Sequence, residues 1–333
     1  SNFNTPALSG STSDSEFMAN TSIVPSSEGE PVCYKYVNNT YPVTLANLFK
    51  ENGYTTIAIH NNYGNYYNRF NMFARLGYDD FYDCTSFGMM DERSDLEIGE
   101  KLKYIIADAD YPLMLYWITY SGHQPYTLDS VGVSEEDVEK IRAKYPELDD
   151  RYVSFFAKNM DLDRALKEIM DQAEYTGTLD NLAIVFFGDH IVKGMEYQNC
   201  DDFFGQTGLE NFYTFNDTDL FIYATDLEPV DYSKVSTLLD FLPTIANLYD
   251  YSYDEKCVLG RDIFDPSYNG FFFANYGELA NDYYRYDMLT DSFYYTNGYD
   301  TDKAEQEIVG FERLLDISKK ILKIDYYKTK ETN

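Results

Sequence analysis

Histidine, tryptophan and cysteine are all scarce in this 333-residue chain, at three, one and four residues. The cysteines, Cys33, Cys84, Cys200 and Cys257, are scattered and contain no CxxC, which argues against a zinc cluster. They read as unpaired core thiols, with a disulfide left open because spacing does not give its partners. No apolar run reaches about eighteen residues, so no stretch here reads as a membrane-spanning helix. Basic residues are few as well: 26 Lys and Arg against 57 Asp and Glu, a formal net charge of −31. Nucleic acid is disfavoured as a partner, because nothing would neutralise its phosphates, and so is broad electrostatic docking on an anionic membrane. The acidic balance suits a soluble protein outside the cell or in a salty, crowded medium. No signal-peptide pattern is seen; Ser1-Asn2-Phe3 lacks a start methionine and reads as a processed or engineered end.

Tyrosine, by contrast, is abundant at 34 residues, and Asp282-Tyr283-Tyr284-Arg285-Tyr286-Asp287 is expected to be polar, aromatic surface rather than core. Residues 1–40 read as loop with one short helix near Thr12-Ser13, where either residue suits an N-cap and Glu16 stands at capping-box distance. Val43–Asn52 carries Leu45, Leu48 and Phe49 at helical spacing and stops at Gly53, and Thr55–Ile59 follows as a strand. Further helices are expected at Asp95–Ala107, Ser134–Lys144, Asp150–Ala173 and Val235–Leu248, with strands at Leu113–Thr119, Leu182–Phe187 and Asp219–Ala224. Gly194–Asn216 is a Gly- and Asn-rich connection. This alternation predicts an α/β fold with a mostly parallel central sheet flanked by helices. After Gly260, Phe271–Asn275 and Phe293–Thr296 read as strands of a small antiparallel subregion, closed by a helix over Thr301–Lys323.

All three histidines follow short apolar runs, where open α/β sheets place their ligands. Leu182–Phe187 reads as a buried parallel strand and delivers Gly188-Asp189-His190, a carboxylate and an imidazole able to bind one divalent ion; an Asp cap beside a solvated His is the plainer alternative. Thr12 lies in Gly10-Ser11-Thr12-Ser13-Asp14-Ser15-Glu16-Phe17. At a helix start its hydroxyl feels exposed N–H groups and the positive helix end, which favour an alkoxide or bound phosphate, unless it only caps the helix. Arg69, after Tyr66-Tyr67-Asn68, offers a fork for phosphate oxygens, and His123 in His123-Gln124-Pro125-Tyr126 can hydrogen-bond a phosphoryl oxygen or leaving group. Each also suits a solvated surface or turn side chain.

Taken together, the segments resemble one family. Gly10–Phe17 is similar to the nucleophile segment of lipoteichoic acid synthases and related phosphoglycerol transferases of the alkaline phosphatase/sulfatase superfamily. His60-Asn61-Asn62-Tyr63 with Tyr67-Asn68-Arg69, then Ser121–Tyr126, then Gly188-Asp189-His190 follow in the family's order. Leu239-Asp240-Phe241-Leu242-Pro243-Thr244 resembles its late D-x-x-P-T helix and Leu259-Gly260-Arg261-Asp262 its G-x-D turn. The resemblance implies an N-terminally truncated sulfatase-like catalytic core over residues 1–264, with residues 265–333 as a C-terminal strand extension and closing helix in the same domain. It implies Thr12 as nucleophile, Thr12, Asp189 and His190 as ligands of one divalent metal (manganese being the family's usual ion, magnesium or zinc the other candidates), and His60, Asn62, Tyr67, Arg69 and His123 around the substrate. The implied reaction moves glycerol phosphate from an anionic glycerophospholipid to an acceptor hydroxyl or glycerol-phosphate polymer through a covalent threonine intermediate. It takes place outside a bacterial membrane, with the domain anchored through an upstream segment or released.

The family has Trp and Asp where Tyr67 and Asn62 stand, so headgroup preference is open. A sulfatase is excluded by the lack of a C/S-x-P-x-R segment, and two-zinc members need more histidines than three. A phosphoethanolamine transferase, a phosphodiesterase or a non-catalytic glycerophosphate-polymer binder stay open. The family's acidic ligand precedes the nucleophile helix, whereas no carboxylate precedes Thr12 here. Weak metal binding and slow turnover, or none, are therefore expected of this chain. A manganese titration beside an upstream-extended chain checks this, and equal affinities contradict it.

Overall fold

Short strands rich in β-branched, aliphatic and aromatic residues build the parallel layer of the molecule. In a computed structural model, which describes residues 2–6, 12–25, 30–108, 112–190, 192–193, 218–274, 277–288, 290–295 and 300–328, β1 (Asn2–Asn4) leads into α1 (Thr12–Thr21) and α2 (Val32–Lys35). Then come α3 (Leu45–Glu51), β2 (Thr55–His60), α4 (Arg69–Leu76), β3 (Asp80–Tyr82), α5 (Asp95–Asp108) and β4 (Leu113–Ile118). Two helices, α6 (Glu135–Lys144) and α7 (Asp150–Thr176), precede β5 (Ala183–Phe187), β6 (Leu220–Ala224), β7 (Val235–Thr237) and α8 (Phe241–Leu248). Four short strands, β8 (Phe272–Ala274), β9 (Glu278–Ala280), β10 (Tyr284–Asp287) and β11 (Ser292–Tyr295), and the long α9 (Thr301–Ile324) complete the chain.

β2 is the middle of a parallel trio, with β3 on one side and β4 on the other, and its Ile57, Ala58 and Ile59 are buried. Such burial on both faces is what a near-continuous apolar strand supports. β1 pairs parallel with β7, β5 pairs antiparallel with β6, and β8–β11 form an antiparallel meander. Phe3, Met18, Leu45, Leu238, Phe271 and Tyr284 share one core cluster, so the meander and the start of the chain bury each other's apolar faces. The helices α5 and α7 approach closely, with Ala165 against the position where a Cβ on Gly99 would stand.

Four expectations need correction. Asn2–Asn4 is a strand, not loop, because its backbone finds a partner in Val235–Thr237. That partner also removes the first turn from the helix expected at Val235–Leu248. The β-branched Val235 and Thr237 stay extended, and Asp240 Oδ2 accepts the Thr237 N–H (3.1 Å) where a short 3-10 turn and α8 begin. The strand β5 is antiparallel to its neighbour and only half-buried, with Phe186 exposed and stacked on Phe221 at 4.6 Å between ring centroids. Finally, the Asp/Tyr cluster alternates: Tyr283 is exposed while Tyr284 on β10 is core, and the Asp282 carboxylate accepts the Val235 N–H at 2.6 Å. Cys33, Cys84 and Cys257 are buried and in no disulfide, as expected; Cys200 and most of the Gly- and Asn-rich connection lie outside the described residues.

The turn carrying Gly260 presses directly on backbone. Its N–H donates to the Ser22 hydroxyl (2.8 Å), which itself donates to the Leu239 carbonyl (2.6 Å). A Cβ at position 260 would lie 1.9 Å from that carbonyl oxygen. Gly260→Ala is therefore expected to cost about 3 kcal/mol, because backbone rather than a flexible side chain must give way. Urea unfolding with an unchanged slope checks this, and a midpoint equal to wild type contradicts it.

Candidate active site

Three strand ends and one helix start meet at the site. The hydroxyl of Ser15, in the first turn of α1, donates to the Asp189 carbonyl at 2.5 Å, which fixes the helix start to Gly188-Asp189-His190 after β5. Gly188 is itself held from the other side: its carbonyl accepts the Thr5 hydroxyl (3.0 Å) and its N–H donates to the Thr218 carbonyl (3.1 Å). Thr12 opens α1 and is half-buried. Asp189 and His190 converge, with Oδ2 and Nε2 3.6 Å apart.

That separation bears on metal binding. Ligand bonds of about 2.1 Å at tetrahedral angles hold their donor atoms about 3.4 Å apart. Asp189 and His190 thus fit two adjacent corners of a divalent-ion shell, and a Thr12 hydroxyl is chemically apt as a third. Among the described residues, no group of three or more His, Cys, Asp or Glu gathers as a metal cluster.

Glu16 follows Ser15 and does not turn back to the helix start as a capping-box residue would. Both its oxygens accept from Arg69: Nε bonds each at 3.1 Å, and one terminal amino group bonds Oε1 at 2.7 Å. Glu16 and Arg69 are both buried, and breaking such a pair by removing one partner costs about 3–5 kcal/mol. Although burial works against the guanidinium charge, the Glu16 carboxylate outweighs it and holds Arg69 above its ordinary pKa. The other terminal amino group donates to the Tyr66 carbonyl at 3.3 Å, and the guanidinium lies 5.2 Å from the Tyr67 ring. Tyr67 is half-buried and sits in the left-handed region with φ 57°, as does Asn68 with φ 51°. An aromatic residue there stores about 1–3 kcal/mol of strain. The bend is tied down where Asn68 Nδ2 donates to the Cys33 carbonyl (3.0 Å) and the Arg69 N–H to the Gly64 carbonyl (2.9 Å).

His60, the last residue of β2, is buried, and its Nδ1 stands 3.0 Å from the Ile118 carbonyl. A carbonyl only accepts, so Nδ1 carries the proton and Nε2 keeps its lone pair. Burial, reinforced by the Arg69 charge, pushes the pKa of this imidazole down to about 3. Tyr120 bridges His60 to His123, with ring centroids 6.5 Å from the first and 5.4 Å from the second, on which it stacks. His123 is exposed, and its Nδ1 lies 2.6 Å from the Gln124 carbonyl, so it too offers Nε2. Asn62 is half-buried and folded on its own turn, its Oδ1 accepting the Tyr63 N–H.

Electrostatics tie these pieces together. Burial pushes the Tyr126 hydroxyl up to about 12, with the Asp189 charge adding to it, and Tyr116 rises through burial and the charges of Glu16 and Asp189. Ser15, Glu16 and Asn61 went unrecognised in the sequence as parts of the site. A second Ser-x-Ser hydroxyl and an acid one helical turn after Thr12 are the signals that could have marked the first two.

The sulfatase family model matches residues 2–251. The lipoteichoic acid synthase of Staphylococcus aureus (strain USA300) is 26% identical over 309 residues, covering 90% of this chain and 45% of the relative. The chain thus spans under half the length of the curated relatives it matches. Among solved structures, the lipoteichoic acid synthase LtaP from Listeria monocytogenes superposes with a TM-score of 0.79 at 20% identity, covering 97% of this chain and 82% of that one. The C-terminal periplasmic domain of EcEptC from Escherichia coli, in complex with Zn, does so with a TM-score of 0.53 at 16% identity, covering 80% and 75%. These likenesses extend the α/β architecture to known members of the alkaline phosphatase/sulfatase fold, and the family match covers the whole of the site described above. The chain belongs to the sulfatase family.

Proposed function

We propose that this chain is the catalytic region of a metal-dependent phosphoglycerol transferase, acting on an anionic glycerophospholipid at the outer face of a bacterial membrane. The observation that carries the reading is the Ser15–Asp189 bond, which ties the first turn of α1, the turn that Thr12 opens, to the segment carrying Asp189 and His190. Similarity to lipoteichoic acid synthases over most of the chain supports it, as does the sulfatase family match. No described helix is long and apolar enough to cross a membrane, so a membrane anchor belongs to the proposal only as an upstream segment.

Asp189, His190 and Thr12 would hold one divalent ion, with manganese as the ion proposed. When bound, it would lower the Thr12 hydroxyl pKa and neutralise phosphate charge. The Thr12 hydroxyl gives up its proton to solvent, its oxygen attacks the phosphodiester phosphorus in line, and the bond from phosphorus to the diacylglycerol oxygen breaks. His123 Nε2, when protonated, hands a proton to that leaving oxygen and later takes one from the acceptor hydroxyl. The glycerol-phosphate ester on Thr12 then passes to that acceptor, the growing glycerol-phosphate polymer. His60 Nε2, fixed as an acceptor, takes a hydrogen bond from a glycerol hydroxyl, and Tyr67 and Asn62 flank the headgroup. The Arg69 amino group not used by Glu16 donates one N–H to the Tyr66 carbonyl, and its second N–H is the one assigned to a phosphate oxygen.

Transfer of glycerol phosphate from phosphatidylglycerol vesicles to acceptor tests the reading. Thr12→Ala is expected to lower it roughly a thousandfold or more with an unchanged unfolding curve, and retained transfer contradicts the assignment. Chelation followed by manganese should remove and restore transfer. Phosphatidylethanolamine outcompeting phosphatidylglycerol would instead favour a phosphoethanolamine transferase.

His60 gives a pH prediction with a definite sign. Its folded pKa of about 3 lies below the ordinary 6.5, so the unfolded chain binds the extra proton. Its contribution is therefore complete above about 6.5 and is lost as pH falls towards 3. In a histidine NMR titration the His60 ring should stay neutral down to pH about 4, and His60→Gln should flatten the acid-side loss of stability. A His60 midpoint near 6.5 would overturn the assigned tautomer and its role.

A further inference from the structure

We propose that Asp95 is a positioning residue that locks the His60 and His123 loops to each other. This rests on the substrate reading above only for its consequence in binding, not for the lock itself. Asp95 is the first residue of α5 and is fully buried. One carboxylate oxygen accepts from Asn61 Nδ2 at 2.6 Å and from the Tyr120 N–H at 2.7 Å, and the other accepts from the Ser121 N–H at 3.1 Å. Asn61 directly follows His60, while Tyr120 and Ser121 begin the turn that ends at His123. A single carboxylate therefore spans the ends of two adjacent parallel strands, β2 and β4, at the level of both imidazoles.

The lock is closed on every side. The Asp95 N–H donates to the Ser121 hydroxyl (2.7 Å), which donates to Asp161 on α7 (2.6 Å). Asn61 Oδ1 accepts from Trp117 Nε1 at 2.6 Å, so the amide is oriented with its NH2 towards Asp95. Further along the turn, the buried Lys158 donates to the Pro125 carbonyl at 3.2 Å and supplies positive charge near Asp95 and Asp161. Both carboxylate oxygens of Asp95 thus face donors from the two substrate-side loops, an arrangement more demanding than core filling needs. An apolar residue of similar size would leave three buried donors unpaired.

In Asp95→Asn, one acceptor becomes an NH2 facing an N–H donor, and the loops part. Asn61→Ala removes only the His60-side arm and keeps the carboxylate, so it serves if Asp95→Asn fails to fold. Leu102→Ala, a buried apolar truncation on the same helix, is the control for stability loss alone. Two readouts decide: sn-glycerol 3-phosphate affinity, followed through the three histidine side-chain signals, and hydrogen exchange at the Tyr120 and Ser121 amides.

Asp95→Asn and Asn61→Ala are each expected to weaken glycerol 3-phosphate binding about tenfold or more, with Leu102→Ala staying within about twofold of wild type. Exchange at Tyr120 should rise about tenfold or more in Asn61→Ala, although the mutated side chain lies on the other loop, and should not rise in Leu102→Ala. Wild-type affinity and protection in Asn61→Ala overturn the proposal, as does an equal loss in Leu102→Ala. Should the wild type fail to bind glycerol 3-phosphate, the substrate reading fails. The lock is then decided by exchange alone: Tyr120 loosened by Asn61→Ala upholds it, and Tyr120 still protected contradicts it.

Discussion

Glu16 and Arg69 bring two opposite charges out of water between α1 and the bend after β2, and the site is built around that contact. Desolvating each ion costs several kcal/mol, which only close, multiply bonded geometry offsets. Three nitrogen–oxygen contacts between 2.7 and 3.1 Å provide it. The consequence is rigidity of a directional kind. α1 cannot rotate or slide against α4 without stranding a buried charge, and Thr12 lies one turn before Glu16 on that same helix. The Ser15 hydroxyl, between them, then ties the helix to Asp189.

Around this anchor, catalytic geometry and backbone irregularity occur together. His60, the His123 turn and Asp189-His190 all leave the carboxyl ends of strands, where neighbouring backbone turns away and makes a crevice. The strained segment, Tyr67-Asn68, lies beside Arg69, and its cost is met locally by the Cys33 and Gly64 carbonyls. Strain of that kind persists where the surroundings over-determine it. His60 shows the same logic in electrostatic form: burial disfavours its charge, so in the proposed reaction it is cast as a fixed acceptor and the exposed His123 as the proton carrier.

Much of the scaffold was legible because it obeys periodicity. The long helices α5, α6, α7 and α9, and strands β2 and β4, lie within a few residues of where apolar spacing and caps put them. What escaped depends on contacts distant in sequence. Asn2–Asn4 has no strand-like composition and is extended only because Val235–Thr237 accepts it, and the same pairing converts the first turn of an expected helix. Glu16 looked like a cap because a capping box and a buried ion pair share one local pattern; only Arg69, fifty-three positions away, distinguishes them. Asn61 lay within the His60 segment with no role of its own, and Asp95 lay in no motif. The three histidines were conspicuous for the opposite reason: rare residues placed after apolar runs stand out in any sequence.

The account stands most directly on whether Thr12 becomes covalently esterified. Brief incubation of the upstream-extended, manganese-loaded protein with phosphatidylglycerol, acid quench and peptide mass spectrometry would show it. The account predicts a mass gain of one glycerol phosphate, about 154 Da, confined to the peptide containing Thr12 and absent without metal. Transfer to acceptor proceeding with that peptide unmodified, or with the adduct on another residue, would contradict it.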